Sequence, residues 1–243
     1  MTPVRVVMWS GPRNISTAMM RSWENRGDTS VWDEPLYAYY LNATGIEHPG
    51  AAEIIAAGER DWRKVVDRIL GPVPGGQRVF FQKHMAHHLL PEVDRGWLGE
   101  AVNCFLIRDP REVVASYARA RDEVVIDDVG VVQQAEIFDH VRKTTGENPP
   151  VVDARDVLGN PQGILRSLCE RIGLDFTPRM LSWPAGPRPS DGVWAKFWYD
   201  SVHSSTGFQP YREKALDLSP ELEAIAEACL PHYRKLYRHR IES

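Results

Sequence analysis

The chain has 243 residues, 43% hydrophobic and 26% charged, with a formal net charge of −4 at neutral pH. That is enough chain to bury a full core in one domain of ordinary globular composition. The acidic balance weighs against a general nucleic-acid-binding surface, and no apolar run approaches the roughly 20 residues of a membrane-spanning helix. Cys104, Cys169 and Cys229 are odd in number and sit in apolar patterns, as core thiols of a reducing, cytoplasmic compartment would. The opening MTPVRVV enters a strand pattern without an apolar leader. No Cys/His cluster has ligand spacing, so no metal is expected, and the adjacent His87 and His88 cannot face one way on a helix.

In chain order, Val4–Met8 reads as a buried strand, and "WSGPRNISTAMM" follows as a turn that opens a helix over Ser16–Asn25. Ser30–Asp33, Val79–Gln82, Ala101–Ile107 and Val151–Asp153 are the other strand candidates. Asp61–Leu70, Arg111–Arg121, Val129–Lys143 and Pro161–Arg171 are the helical segments between them, and Leu218–Tyr237 is helical again. This alternation predicts an α/β fold, a mostly parallel central sheet flanked by helices. Tyr37–Gly58 breaks the rhythm, as does the aromatic-rich Pro184–Phe208, which reads as a lid or substrate wall (residues 184–208) on a single domain spanning 1–243. Nothing here informs oligomeric state.

A Gly-containing strand-to-helix turn aims backbone amides at an anion, and the helix dipole favours the negative charge they hold. Gly11, Pro12, Arg13, Asn14, Ile15, Ser16 and Thr17 form that turn, with Arg13 adding a guanidinium fork suited to phosphate oxygens. The triphosphate-binding pattern GxxxxGK[ST] is absent. A second stretch, "FLIRDPREVVASYARAR", puts Arg108 at a strand exit and Ser116 on the next helix, at the sheet edge where open α/β folds bind ligands. Arg111 has two readings, a surface partner of Glu112 or Asp109 and a direct ligand contact.

These two loops carry a family resemblance. The chain resembles the P-loop-like sulfotransferases, which move a sulfuryl group from 3'-phosphoadenosine 5'-phosphosulfate (PAPS) to an acceptor. Pro12, Arg13, Ser16 and Thr17 match that family's first loop, with Asn14–Ile15 standing where Ser-Gly is usual. Arg108, Pro110, Arg111 and Ser116 match its second loop, with Asp109 in place of Asn. The similarity runs from Val4 to about Trp183 and includes "VVDARDVLGNPQGILRSLCERIGLDF". Gly192, Trp194 and Lys196 are faintly similar to a C-terminal family element, and no Arg-Lys-Gly turn is present.

The resemblance implies PAPS as donor cosubstrate, with no metal required. It places Arg13 at the 5'-phosphate and Arg108 with Ser116 at the 3'-phosphate. The Glu34-Pro35 pair is similar to one in bacterial members whose glutamate is the base, while Lys83-His84 is similar to a Lys-x-His element that supplies a charge stabiliser and a base. Glu34, Arg13, Lys83 and His84 are therefore the catalytic candidates, and Glu34 and His84 compete for the base role. Tyr37, Tyr39, Tyr40, Trp194, Trp198 and Tyr199 are candidate walls for a small-molecule acceptor of unspecified identity. Two other readings fit an anion loop, a magnesium-dependent nucleotide kinase or phosphotransferase and a non-catalytic nucleotide-binding protein. A requirement for magnesium and ATP marks the first, and binding without turnover marks the second.

Overall fold

A computed structural model describes residues 3–119, 124–213 and 215–242. Five strands form one sheet: β1 (Val4–Ser10), β2 (Thr29–Asp33), β3 (Val79–Met85), β4 (Val102–Ile107) and β5 (Val151–Asp153). Their order is β2-β3-β1-β4-β5, and every neighbouring pair is parallel. The twelve helices described are α1 (Ser16–Glu24), α2 (Tyr37–Thr44), α3 (Ala51–Ala57), α4 (Trp62–Leu70), α5 (Pro110–Tyr117) and α6 (Ile126–Val129), then α7 (Val131–Thr145), α8 (Ala154–Gly159), α9 (Pro161–Arg171), α10 (Ala195–Trp198), α11 (Asp200–His203) and α12 (Pro220–Tyr237).

Two-residue alternation along the strands sorts the core into two layers. Val7, Trp9, Phe105 and Ile107 face one side, where α4, α7 and α12 contribute Val65, Ile69, Ile137, Phe138 and Cys229. Val6, Met8, Cys104 and Leu106 face the other, against Met19, Met20 and Trp23 of α1 and Ile164, Leu165 and Leu168 of α9. The helices start where short polar side chains accept a backbone N–H: Asp61 for α4, Asp109 for α5, Asn160 for α9 and Ser219 for α12. Proline follows the cap in the last three, with its φ already helical.

The structure adjusts several boundaries. β1 continues to Ser10 and β3 to Met85, which carries both strands up to the site. The helix expected over Val129–Lys143 breaks at Gly130, whose φ of 73° separates α6 from α7. Residues 120 and 121 of the Arg111–Arg121 helix lie outside the described residues. Tyr37–Gly58 folds as α2 and α3, and Pro184–Phe208 contains α10 and α11.

From β1 the chain moves to β2 and β3 on one side, then fills β4 and β5 on the other. The carboxyl end of β1 is thus the switch point of the sheet, where such folds open a crevice.

Candidate active site

The first loop leaves β1 at that switch point. Gly11 is required by close approach: a Cβ there would lie 2.2 Å from the carbonyl oxygen of Val129. Two non-glycine residues then take left-handed conformations, Arg13 at φ 56° and Ile15 at φ 48°. For a β-branched side chain this is strained. Ile15 also occupies the N-cap of α1 without any side-chain cap, so the first amides of the helix keep their donors for a ligand. Asn14 is buried and fixed by its amide nitrogen to the carbonyl of Leu106 at 2.5 Å, and its Oδ1 has no hydrogen-bond partner.

The second loop locks onto the first. Arg13 Nε donates to the Ser116 hydroxyl at 3.2 Å. Arg108 donates to the Arg13 carbonyl and also grips Glu112 through Nε and Nη2 at 2.8 and 2.7 Å. Burial and the nearby Arg108 guanidinium both lower the Arg13 pKa. Two like charges held so close favour an anion between them. Arg111 turns outward and pairs with Glu223 of α12 at 2.7 Å, rather than with Glu112 or Asp109 as its surface reading had it.

At the end of β2, Asp33 is the register neighbour of Lys83 on β3. The Lys83 ammonium donates to Asp33 Oδ1 at 2.9 Å, to Glu34 Oε1 at 2.6 Å and to the Tyr199 hydroxyl at 2.6 Å. All three of its hydrogens are engaged. Tyr199 in turn donates to Asp33 Oδ2 at 2.6 Å, and that oxygen also accepts the Gly192 N–H at 3.2 Å. Glu34 holds a left-handed φ of 42°, pinned by its N–H to Lys83 and its carbonyl to Tyr37. Burial disfavours the Lys83 charge, but Asp33 and Glu34 outweigh it and hold the lysine well above its ordinary range. Burial also raises the Glu34 pKa; Lys83 opposes the rise and Asp33 adds to it.

One cavity of about 700 Å³ spans both regions. Pro12, Arg13, Asn14, Ile15, Ser16, Thr17, Arg108 and Ser116 line one end, and Glu34 and Lys83 the other. Tyr37, His48, Met85, His87, Trp194 and Trp198 line the cavity as well. The stretch Gln209–Arg212 also borders the cavity, which the sequence reading missed because it closed the wall at Phe208. Among the described residues no group of three or more His, Cys, Asp or Glu side chains is placed to hold a metal ion. No helix among them is long and apolar enough to cross a membrane.

A family model described as a sulfotransferase domain matches residues 4–239. The chain belongs to the sulfotransferase-domain family. At the family level the reaction is sulfuryl transfer from PAPS to an acceptor. Branched-chain-amino-acid aminotransferase-like proteins 2 and 1 of Arabidopsis thaliana are both 34% identical to it, over 95% and 98% of this chain. The chain spans 41% and 42% of the length of these relatives. A sulfotransferase from Alicyclobacillus acidocaldarius superposes with a TM-score of 0.56 at 12% identity, covering 100% of this chain and 98% of that one. That likeness shows a shared fold.

Within this sulfotransferase domain, two candidates sit away from the cavity. Gly11 is absent from its lining and serves the contact with Val129. His84 is also absent from it: alternation along β3 sends Lys83 and Met85 to the cavity and His84 to the opposite face. There its ring lies 4.7 Å from that of Trp9, tilted by 45°, and 6.3 Å from that of Trp97. Burial pushes its pKa down to about 3. Its competition with Glu34 for the base role is therefore corrected by position. His88 does approach Glu34, with Nδ1 4.0 Å from Oε2, and its ring lies 4.6 Å from both Tyr37 and Tyr40. Tyr39 turns away from the cavity toward Glu92.

Proposed function

We propose that this chain is a single sulfotransferase-like domain that holds PAPS between its two loops and transfers the sulfuryl group to a hydroxyl or amine of a small-molecule acceptor beside Glu34. The observation that carries this reading is the single cavity shared by Arg13, Arg108, Ser116, Glu34 and Lys83. The loops fit such a donor: uncapped helix amides and two neighbouring guanidinium groups make a cradle for phosphate. When bound, PAPS supplies the electrophilic sulfuryl group.

In this reading Arg13, Pro12–Thr17 and the first amides of α1 bind the 5'-phosphate and stabilise the charge that develops there. Arg108 and Ser116 read the 3'-phosphate. Glu34 accepts the acceptor's proton as the acceptor atom bonds to sulfur, and its raised pKa suits that task. Lys83 acts through its fixed charge, since its three hydrogens are already committed. Residues 184–208 form the acceptor wall through Trp194, Trp198, Tyr199 and Val202. The three buried free thiols support a reducing, cytoplasmic setting.

Calorimetry tests the reading without knowledge of the acceptor. Adenosine 3',5'-bisphosphate is expected to bind more tightly than AMP or ATP, with no requirement for magnesium. Equal affinity for the bisphosphate and AMP removes the second phosphate site and with it the PAPS assignment.

A further inference from the structure

Asp33 had no assigned role in the transfer, yet both of its carboxylate oxygens accept hydrogen bonds. Four contacts converge on it or its partner. Lys83 donates to one carboxylate oxygen, Tyr199 and the Gly192 N–H donate to the other, and Lys83 also donates to Tyr199. Its side chain is 1% exposed, against 10% for Glu34. Two carboxylates therefore share one ammonium, which leaves one surplus negative charge. The inner carboxylate is saturated with donors, and the outer one borders the cavity.

We propose that Asp33 is a positioning residue for the transfer reaction: by taking up the Lys83 ammonium from the inner side, it leaves the surplus negative charge on Glu34, where it can accept a proton. This rests on the reading of Glu34 as the base. A lysine pairing with Glu34 alone would suppress its basicity, because an opposite charge within about 4–6 Å commonly lowers a carboxylate pKa by 1–3 units. With Asp33 competing for the same ammonium, that suppression is offset. The remaining groups that face Glu34 do not supply a second cation. They are Tyr37 from α2, Tyr199 from the wall and His88 after β3, whose ring burial holds well below its ordinary range.

The proton inventory balances. The acceptor's O–H or N–H bond breaks, its proton passes to Glu34, and the electron pair left on the acceptor forms the bond to sulfur. The bond between sulfur and the phosphate oxygen breaks, and that oxygen keeps its electron pair. Asp33, Lys83 and Tyr199 change no bonds throughout.

The test is a titration of the Glu34 carboxyl carbon by ¹³C NMR in the full chain, the resonance being assigned by its loss in Glu34→Gln. In Asp33→Asn the ammonium falls wholly to Glu34, and the Glu34 midpoint should move down by about one pH unit or more. Tyr199→Phe removes a donor from Asp33 and an acceptor from Lys83 alike and changes no charge, so there the Glu34 midpoint should move far less than in Asp33→Asn. A downward shift confined to the variant that loses the Asp33 charge is not what loss of packing produces. If Asp33→Asn fails to fold, Asp33→Ser removes the same charge and should give the same downward shift. An unchanged or raised midpoint without the Asp33 charge, or an equal shift in Tyr199→Phe, overturns the proposal. The titration needs no turnover, so it is separable from the base assignment, which fails if Glu34→Gln transfers at the normal rate.

Discussion

Arg108 Nη1 donates to the carbonyl oxygen of Arg13 at 2.7 Å, so the second loop holds the backbone of the first. The arginine proposed to read the 3'-phosphate is also a strut for the loop proposed to hold the 5'-phosphate. Replacing it with alanine should therefore weaken adenosine 3',5'-bisphosphate strongly and AMP to a smaller degree. Loss of the charge-assisted contact itself should cost about 1.5–3 kcal/mol, read as the difference between the two ligands by calorimetry. Equal losses for both ligands would reduce Arg108 to the strut alone.

Gly11→Ala should destabilise the domain. The added methyl would meet the Val129 carbonyl at 2.2 Å, and a backbone oxygen cannot step aside as a flexible side chain can. Overpacking of this kind typically costs about 1–3 kcal/mol, which urea denaturation resolves. Because the displaced backbone is that of the first loop, bisphosphate affinity should fall as well.

Glu34→Gln preserves size and removes basicity. Bisphosphate affinity should stay close to that of the parent protein while the transfer rate drops by about 10²–10⁴-fold. The parent's rate should fall in acid as Glu34 takes up a proton, at a pH above the ordinary carboxylate range because its pKa is raised by burial and by Asp33. A rate limb at the usual carboxylate pH would show that another group limits the reaction.

The buried imidazoles make stability itself dependent on pH. His84 is held down to about 3 and His87 to about 4, chiefly by burial. In the unfolded chain both would protonate near 6.5, so below that pH the unfolded state binds more protons. Folded stability should be highest above about 6.5 and fall on acidification by about 1.4 kcal/mol per pH unit for each histidine, until its folded pKa is reached. His84→Phe, which can keep the ring contact with Trp9, should flatten that slope without altering bisphosphate binding. An unchanged slope in urea midpoints between pH 6 and 4 would contradict it.

Much of the scaffold was legible because its signals are local. Alternation and capping residues placed five strands and the main helices to within a few residues. Pro12–Thr17, Arg108 and Ser116 stood out through composition beside a strand end. His84 is instructive: the strand was expected to end at Gln82, and only its continuation to Met85 makes Lys83 and His84 successive strand residues that must face opposite ways. The Asp33–Lys83–Tyr199 network had no such local mark. Its members are 50 and 116 residues apart along the chain, and only the β2–β3 register and the returning wall bring them together. The left-handed Arg13, Ile15 and Glu34 were hidden for another reason, because nothing in those residue types announces such a backbone.

The wall is fastened at separated points. Asp191 pairs with Arg21, Arg188 with Glu24, and Trp183 N–H bonds to the Thr206 carbonyl, while Tyr199 anchors the middle on Asp33. Trp198, Ser201 and Val202 border the cavity between these fastenings and take no part in them. Acceptor choice can thus drift, or be re-engineered by a library at those three positions, with the nucleotide half of the enzyme left as inherited.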